Sequence, residues 1–217
     1  VVDVRLSLGL LQSSNRNLRR EALAVQNGWL ESSLVEDPDP QVRAEAIRSL
    51  ARQDNPDAAH ISELIRFAKP SHEVEVASGI PWGGRHGTPV PSGPPYDREF
   101  ERFLVRMSLE KHPAALAAFL DCSAAEEVPA ENRLFASLAL PPEQATRYFL
   151  SAWHEVDRLP DDEELLLLLR GSSDPELRPL VSKLFSNPEN ASTLMRASLP
   201  LLSRLALVRN SVRYGQA

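Results

Sequence analysis

The placement of glycine and proline constrains this chain more than any other feature. Five of its nine glycines (Gly79, Gly83, Gly84, Gly87, Gly93) and six of its eighteen prolines fall between Lys69 and Asp97. Both residue types interrupt helices, so residues 69–97 read as one long Gly/Pro-rich irregular loop. Elsewhere glycine is almost absent, and prolines stand where a helix can begin, as in Asp39-Pro40, His112-Pro113, Asp174-Pro175 and Asn187-Pro188. Strand-type alternation is confined to Glu73-Val74-Glu75-Val76, inside the loop, where it suits one arm of a small hairpin. The remainder reads as helices with short connections.

Apolar spacing places those helices. After Asp97, an N-cap by residue type, Phe100, Phe103, Leu104 and Met107 recur at i, i+3, i+4 and i+7, an apolar stripe on a helix expected to end near His112. Ala114 to Leu120 forms a short partner. Between Pro142 and Val156 the stripe is Ala145, Tyr148, Phe149, Ala152, Trp153 and Val156. Leu165 to Leu169 is apolar all round, with acids before it and Arg170-Gly171 after it, which predicts a central buried helix.

Charge and cysteine narrow the function classes. The formal net charge of -6 disfavours binding of the whole chain to nucleic acid. A single cysteine, Cys122, excludes an internal disulfide framework and a thiolate zinc cage. No apolar run approaches the roughly 18 residues that a membrane span needs. Charge is uneven: Glu155 to Glu164 holds six acids, whereas Asn190 to Ala217 holds none and four arginines. That basic terminal stretch offers little for nucleobases to stack on, so it reads as a face covering the end of the helical array. The chain opens Val1-Val2-Asp3, which reads as a processed form or a piece of a longer protein.

One motif carries the architecture. In Asp39-Pro40-Gln41-Val42-Arg43-Ala44-Glu45-Ala46-Ile47-Arg48-Ser49-Leu50-Ala51, Asp39 can cap free backbone N–H groups, Pro40 presets the first helical φ, and Val42, Ala46 and Leu50 share a face. The same grammar recurs at Asp174-Pro175-Glu176-Leu177-Arg178, and in weaker form at Asn15-Arg16-Asn17-Leu18-Arg19; the caps lie 24 and 135 residues apart. A cap followed by an apolar-Arg pair, three times over, indicates a repeat. At these residues the chain resembles the HEAT-repeat family, built of antiparallel helix pairs. That resemblance implies an all-α fold, a short irregular α-solenoid over a single domain 1–217 with the 69–97 loop inserted. It also assigns Asp39, Arg43, Asp174 and Arg178 to an Asp–Arg ladder between repeats.

A second resemblance rests on Pro94-Pro95-Tyr96-Asp97-Arg98-Glu99-Phe100-Glu101-Arg102-Phe103-Leu104-Val105-Arg106, which follows the loop and the upstream Asp37-Pro38-Asp39-Pro40. It is similar to the helical-repeat segment of large bacterial proteins that also carry a propeller dehydrogenase-like domain and a c-type cytochrome domain. The resemblance implies an exported or periplasmic connecting module, with the haem borne elsewhere.

The candidate binding residues sit on the loop. Trp82, Arg85, His86 and Tyr96 lie among glycines that allow close backbone approach, a composition suited to a ligand or a partner's side chain. The competing reading, which the sequence favours, has Trp82 and Tyr96 pinning the loop onto the helices. His72, Glu73, Glu75 and His86 match no metal-ligand spacing, and Gly83-Gly84-Arg85-His86-Gly87 lacks the flanks of a phosphate loop, so no metal or cofactor is expected. No catalytic residues are assigned. The acids Asp161 to Glu164 read as a solvated helix N-terminus. The function these features favour is a non-catalytic helical scaffold whose partner is another protein or a neighbouring domain. The alternatives are a HEAT-like DNA glycosylase and a small-ligand module using the 69–97 loop.

Overall fold

A computed structural model describes residues 9–25, 32–69 and 94–214. Every regular element among them is helical, and none is a strand. Contacts divide the chain into two compact units, Val1–Leu140 and Pro141–Ala217.

The first unit contains α1 (Arg16–Val25), a 3-10 turn (Ser32–Glu36), α2 (Pro40–Leu50), α3 (Ala58–Arg66), α4 (Pro94–Leu109), α5 (Pro113–Leu120), a second 3-10 turn (Ser123–Glu127) and α6 (Ala130–Ser137). Helix α2 lies between α1 and α4, and α3 touches α4, α5 and α6. The inner faces of α2 and α3 are largely apolar, with Val42, Ala46, Ile47, Ile61 and Ile65 wholly buried. Ala44 and Leu50 of α2 are buried with them.

Helix α4 corrects two expectations. It begins at Pro94 rather than after Asp97, so the last four residues of the expected 69–97 loop, Pro94–Asp97, already form helix. Two successive prolines supply the fixed φ of a first turn, and Asp97 lies in that turn, beside the positive end of the helix dipole. The buried stripe is also a different one. Glu101, Leu104, Val105, Ser108 and Leu109 face inward, whereas Phe103 is 60% exposed and Met107 39%. Arg43 of α2 draws the Glu101 carboxylate inward, and the buried Ser108 hydroxyl donates to the Leu104 carbonyl at 2.7 Å. The polar members of the inner face are therefore satisfied within the fold.

The second unit contains α7 (Pro142–Trp153), α8 (Asp162–Arg170), α9 (Arg178–Ser186) and α10 (Pro188–Tyr214). On α7 the expected stripe is buried up to Trp153: Ala145, Tyr148, Phe149, Ala152 and Trp153 are buried, with Phe149 and Trp153 stacked at 5.3 Å, whereas its last member, Val156, lies beyond the end of the helix and is half-buried. Helix α8 is buried less evenly than its leucine run predicts. Leu165 and Leu168 are fully buried and Leu166, Leu167 and Leu169 partly, and Leu165 forms a small core with Leu194 and Leu201 of α10, against which Leu166 and Leu169 also pack. Its acids are not all solvated either. Asp161 and Glu164 form a reciprocal capping box, and Glu164, 2% exposed, receives both arms of Arg158 at 2.7 and 2.8 Å. Within α10 stands Pro200, which has no amide to donate to the Arg196 carbonyl; both residues are exposed.

Candidate functional site

The densest polar constellation in the first unit grows from α2. Asp39 has extended backbone and its carboxylate accepts from the Gln41 and Val42 amides at 2.9 and 3.2 Å, which starts the helix. The other Asp39 oxygen meets Arg16 of α1 at 3.1 Å. Burial works to raise the Asp39 pKa, but the Arg16 bond and the two amides outweigh it and hold the carboxyl below its ordinary value.

Two residues before Asp39, Asp37 accepts both arms of Arg19 from α1, at 2.8 and 3.0 Å. The Asp37 hydrogen bond raises the Arg19 pKa against the opposing effect of burial. Arg43 turns away from Asp39. It donates to the Asp37 carbonyl at 2.6 Å and to Glu101 of α4 at 2.8 Å, and Arg98 reaches the second Glu101 oxygen at 2.8 Å. A continuous chain of arginine and acid thus joins α1, α2 and α4. Its arginines are one helical turn inside their helices, which is the spacing that carries a guanidinium past its own cap to the next helix.

Of these residues the sequence singled out Asp39 and Arg43. It missed Asp37 and Glu101, which do the joining, because Asp37 looks like part of a proline turn and Glu101 like one acid among several on α4. A signal existed: Glu101 is spaced at i+3, i+4, i+7 and i+8 to Leu104, Val105, Ser108 and Leu109, an acid in line with a possible core face.

In the second unit, Asp174 accepts from the Glu176 amide at 2.8 Å, but α9 begins only at Arg178. Arg178 is exposed and donates to the Ser173 carbonyl at 3.5 Å; among the described residues it pairs with no acid. The expected helix start at Pro175 is replaced by turns. Leu177 is wholly buried, and a Cβ placed on Gly171 would lie 2.3 Å from its Cδ1, so close contact with a bare glycine backbone fixes that turn.

The loop candidates divide. Trp82, Arg85 and His86 lie outside the described residues, as do His72, Glu73 and Glu75 of the metal test and the candidate hairpin. Tyr96 is described: it stands in the first turns of α4, 47% exposed. Among the described residues no three His, Cys, Asp or Glu side chains are placed to hold a metal ion. No helix there is long and apolar enough to cross a membrane.

The first unit also has a cleft of about 770 Å³, lined among others by Glu36, Glu63, Arg66, Lys69, Glu131 and Asn132. Lys69 grips both Glu36 oxygens at 2.6 Å and holds the Glu36 carboxyl below its usual pKa. Asn132 donates to the Ile65 and Ala68 carbonyls, closing the end of α3 rather than facing a ligand. With three carboxylates beside two cations, much of the cleft's charge is answered from within.

Compared with protein-family models, with curated proteins and with solved structures, the chain gives no match.

Proposed function

We propose that this chain is a helical-repeat module of HEAT-like, irregular solenoid type that presents helix faces to another protein or to a neighbouring domain of a larger protein. The observation that carries this reading is the arginine–acid chain through Arg19, Asp37, Arg43 and Glu101. Links of that kind set the spacing of successive helices while contributing no reactive group, and stacked helices with fixed spacing offer extended surfaces for partners. The apolar side chains left outside on α4 add to it, since a helix held in place by its inner face is free to use the outer one.

Affinity capture of the tagged full chain from its native extract, after chemical cross-linking, tests the reading. The expected result is one protein recovered in fixed proportion, whose recovery is lost when the ladder is broken by Glu101→Gln. A chain recovered alone in every extract overturns it.

A further inference from the structure

The outer face of α4 has a pattern of its own. Tyr96, Phe100, Phe103 and Met107 follow one another at intervals of four, three and four residues, the seam spacing of paired helices. Tyr96 is 47% exposed, Phe103 60% and Met107 39%; Phe100 is half-buried, with the Arg48 guanidinium 5.7 Å from its ring centre. The inner face already anchors the helix through Leu104, Val105 and Leu109, so packing within the unit does not account for three large exposed side chains, Tyr96, Phe103 and Met107, beside the half-buried Phe100.

The interval pattern reads the same in both directions. A two-fold axis crossing α4 between Phe100 and Phe103 brings Tyr96 of one copy opposite Met107 of the second, and Phe100 opposite Phe103. The charges along one edge of the seam agree. Glu99 and Arg106 lie four residues before and three after Phe103, on the same side of the stripe. Antiparallel pairing joins like edges, so the exposed Glu99 of each copy comes opposite Arg106 of the other, a half-buried guanidinium that its own unit holds in place through Glu110 at 2.9 Å and the Leu138 carbonyl at 3.2 Å. We infer that the Tyr96–Met107 face of α4 is a self-association surface, on which a second copy of this chain docks its own α4 antiparallel about a two-fold axis. The inference does not rest on the scaffold reading, because self-pairing requires no other partner.

A single pair of helices about 24 Å long is a small interface, so the dimer is concentration-dependent. Sedimentation velocity on the full chain from about 1 to 100 µM tests it, with circular dichroism confirming that each variant stays helical. Wild type is expected to shift from monomer to dimer across that range. Phe103→Glu is expected to weaken association by about thirtyfold or more, since it buries a charge at the centre of the seam. Glu99→Arg should weaken it too, and adding Arg106→Glu should restore it, a rescue that a merely sticky apolar face would not show. A wild type monomeric throughout, whether because another part of the chain or a different protein covers the seam, overturns the inference, as does a dimer indifferent to Phe103→Glu or to the charge exchange. A monomeric wild type leaves the scaffold reading standing on its own capture experiment, and a dimer that captures nothing else fails that reading alone.

Discussion

Asp39-Pro40-Gln41-Val42-Arg43 and Asp174-Pro175-Glu176-Leu177-Arg178 are nearly the same five-residue sentence, yet they build different things. At the first, the acid caps α2 directly, the proline is its first residue, and the arginine crosses to a buried carboxylate on α4. At the second, the acid closes a turn, the helix waits until the arginine itself, and that arginine ends at a nearby carbonyl in solvent. The apolar residue is wholly buried in both, Val42 and Leu177 alike. The difference therefore lies in what the neighbours offer. Arg16, Arg19, Asp37 and Glu101 surround the first copy; Gly171 and its close contact with Leu177 govern the second. Capping is local chemistry that a short motif can specify, whereas a ladder needs a partner supplied from elsewhere in the chain.

The comparison can be broken most forcefully at Glu101. Replacing it with glutamine leaves Arg43 and Arg98 facing each other without a counter-charge in a mostly buried site, at a cost of about 3 kcal/mol. Urea denaturation followed by circular dichroism should show that loss, while Arg178→Ala leaves the midpoint where it was. Equal effects would mean that the two arginines play the same part.

At the second copy the sensitive position is Gly171. Gly171→Ala forces a methyl group against buried Leu177 and should cost about 1–3 kcal/mol. Combined with Leu177→Ala, which removes the opposing atoms, it should add almost nothing to the cost of that change alone. A simple sum of the two losses would show that the glycine serves some purpose other than closeness.

A smaller effect belongs to the caps. Asp39→Ala should cost about 1 kcal/mol through the two amide bonds and the Arg16 contact, and Asp174→Ala less, having one amide bond to lose.

The smallest is a pH effect on the same pair. The native Asp39 carboxyl titrates below its unfolded value, so the stability it contributes is fully present above about pH 4 and is lost as pH falls through the native pKa. Asp39→Asn keeps a capping oxygen but cannot ionise. The stability gap between it and wild type should hold near neutrality and close on acidification below about pH 4; a gap that widens there would contradict the ion-pair account.

Some of this was legible from sequence, and the reasons are specific. The stripe on α7 was readable because only one face of that helix is apolar, so period and phase coincide. On α4 two faces compete. Phe100, Phe103, Leu104 and Met107 make the louder pattern, but the inner face includes an acid and a serine, which hydropathy counts as solvent-facing. Both earn burial through partners, Arg43 and the Leu104 carbonyl, that lie outside the helix's own spacing or inside its backbone. Phase was therefore misread while the helix itself was not. The leucine run of α8 is legible as an inward-lying helix but carries no phase, since five successive leucines have no period of their own; Leu165 and Leu168 are fully buried and the other three partly so. Asp39 was legible as a cap because the motif is contiguous. Its arginine partner was not, because nothing in Asn15-Arg16-Asn17 states which acid lies 23 residues ahead.

Pro200 gives α10 a property that its continuous outline conceals. A helix opens and closes cooperatively because every amide locks the turn before it, and at Pro200 one rung of that ladder is missing. Leu194 and Leu201, on either side of the gap, both hold to the core beside Leu165. Opening that starts at the Tyr214 end therefore has a natural stopping place just beyond Leu201, so that the terminal stretch of arginines can exchange its amides with solvent as one block while the Leu194 segment keeps the protection of the folded unit.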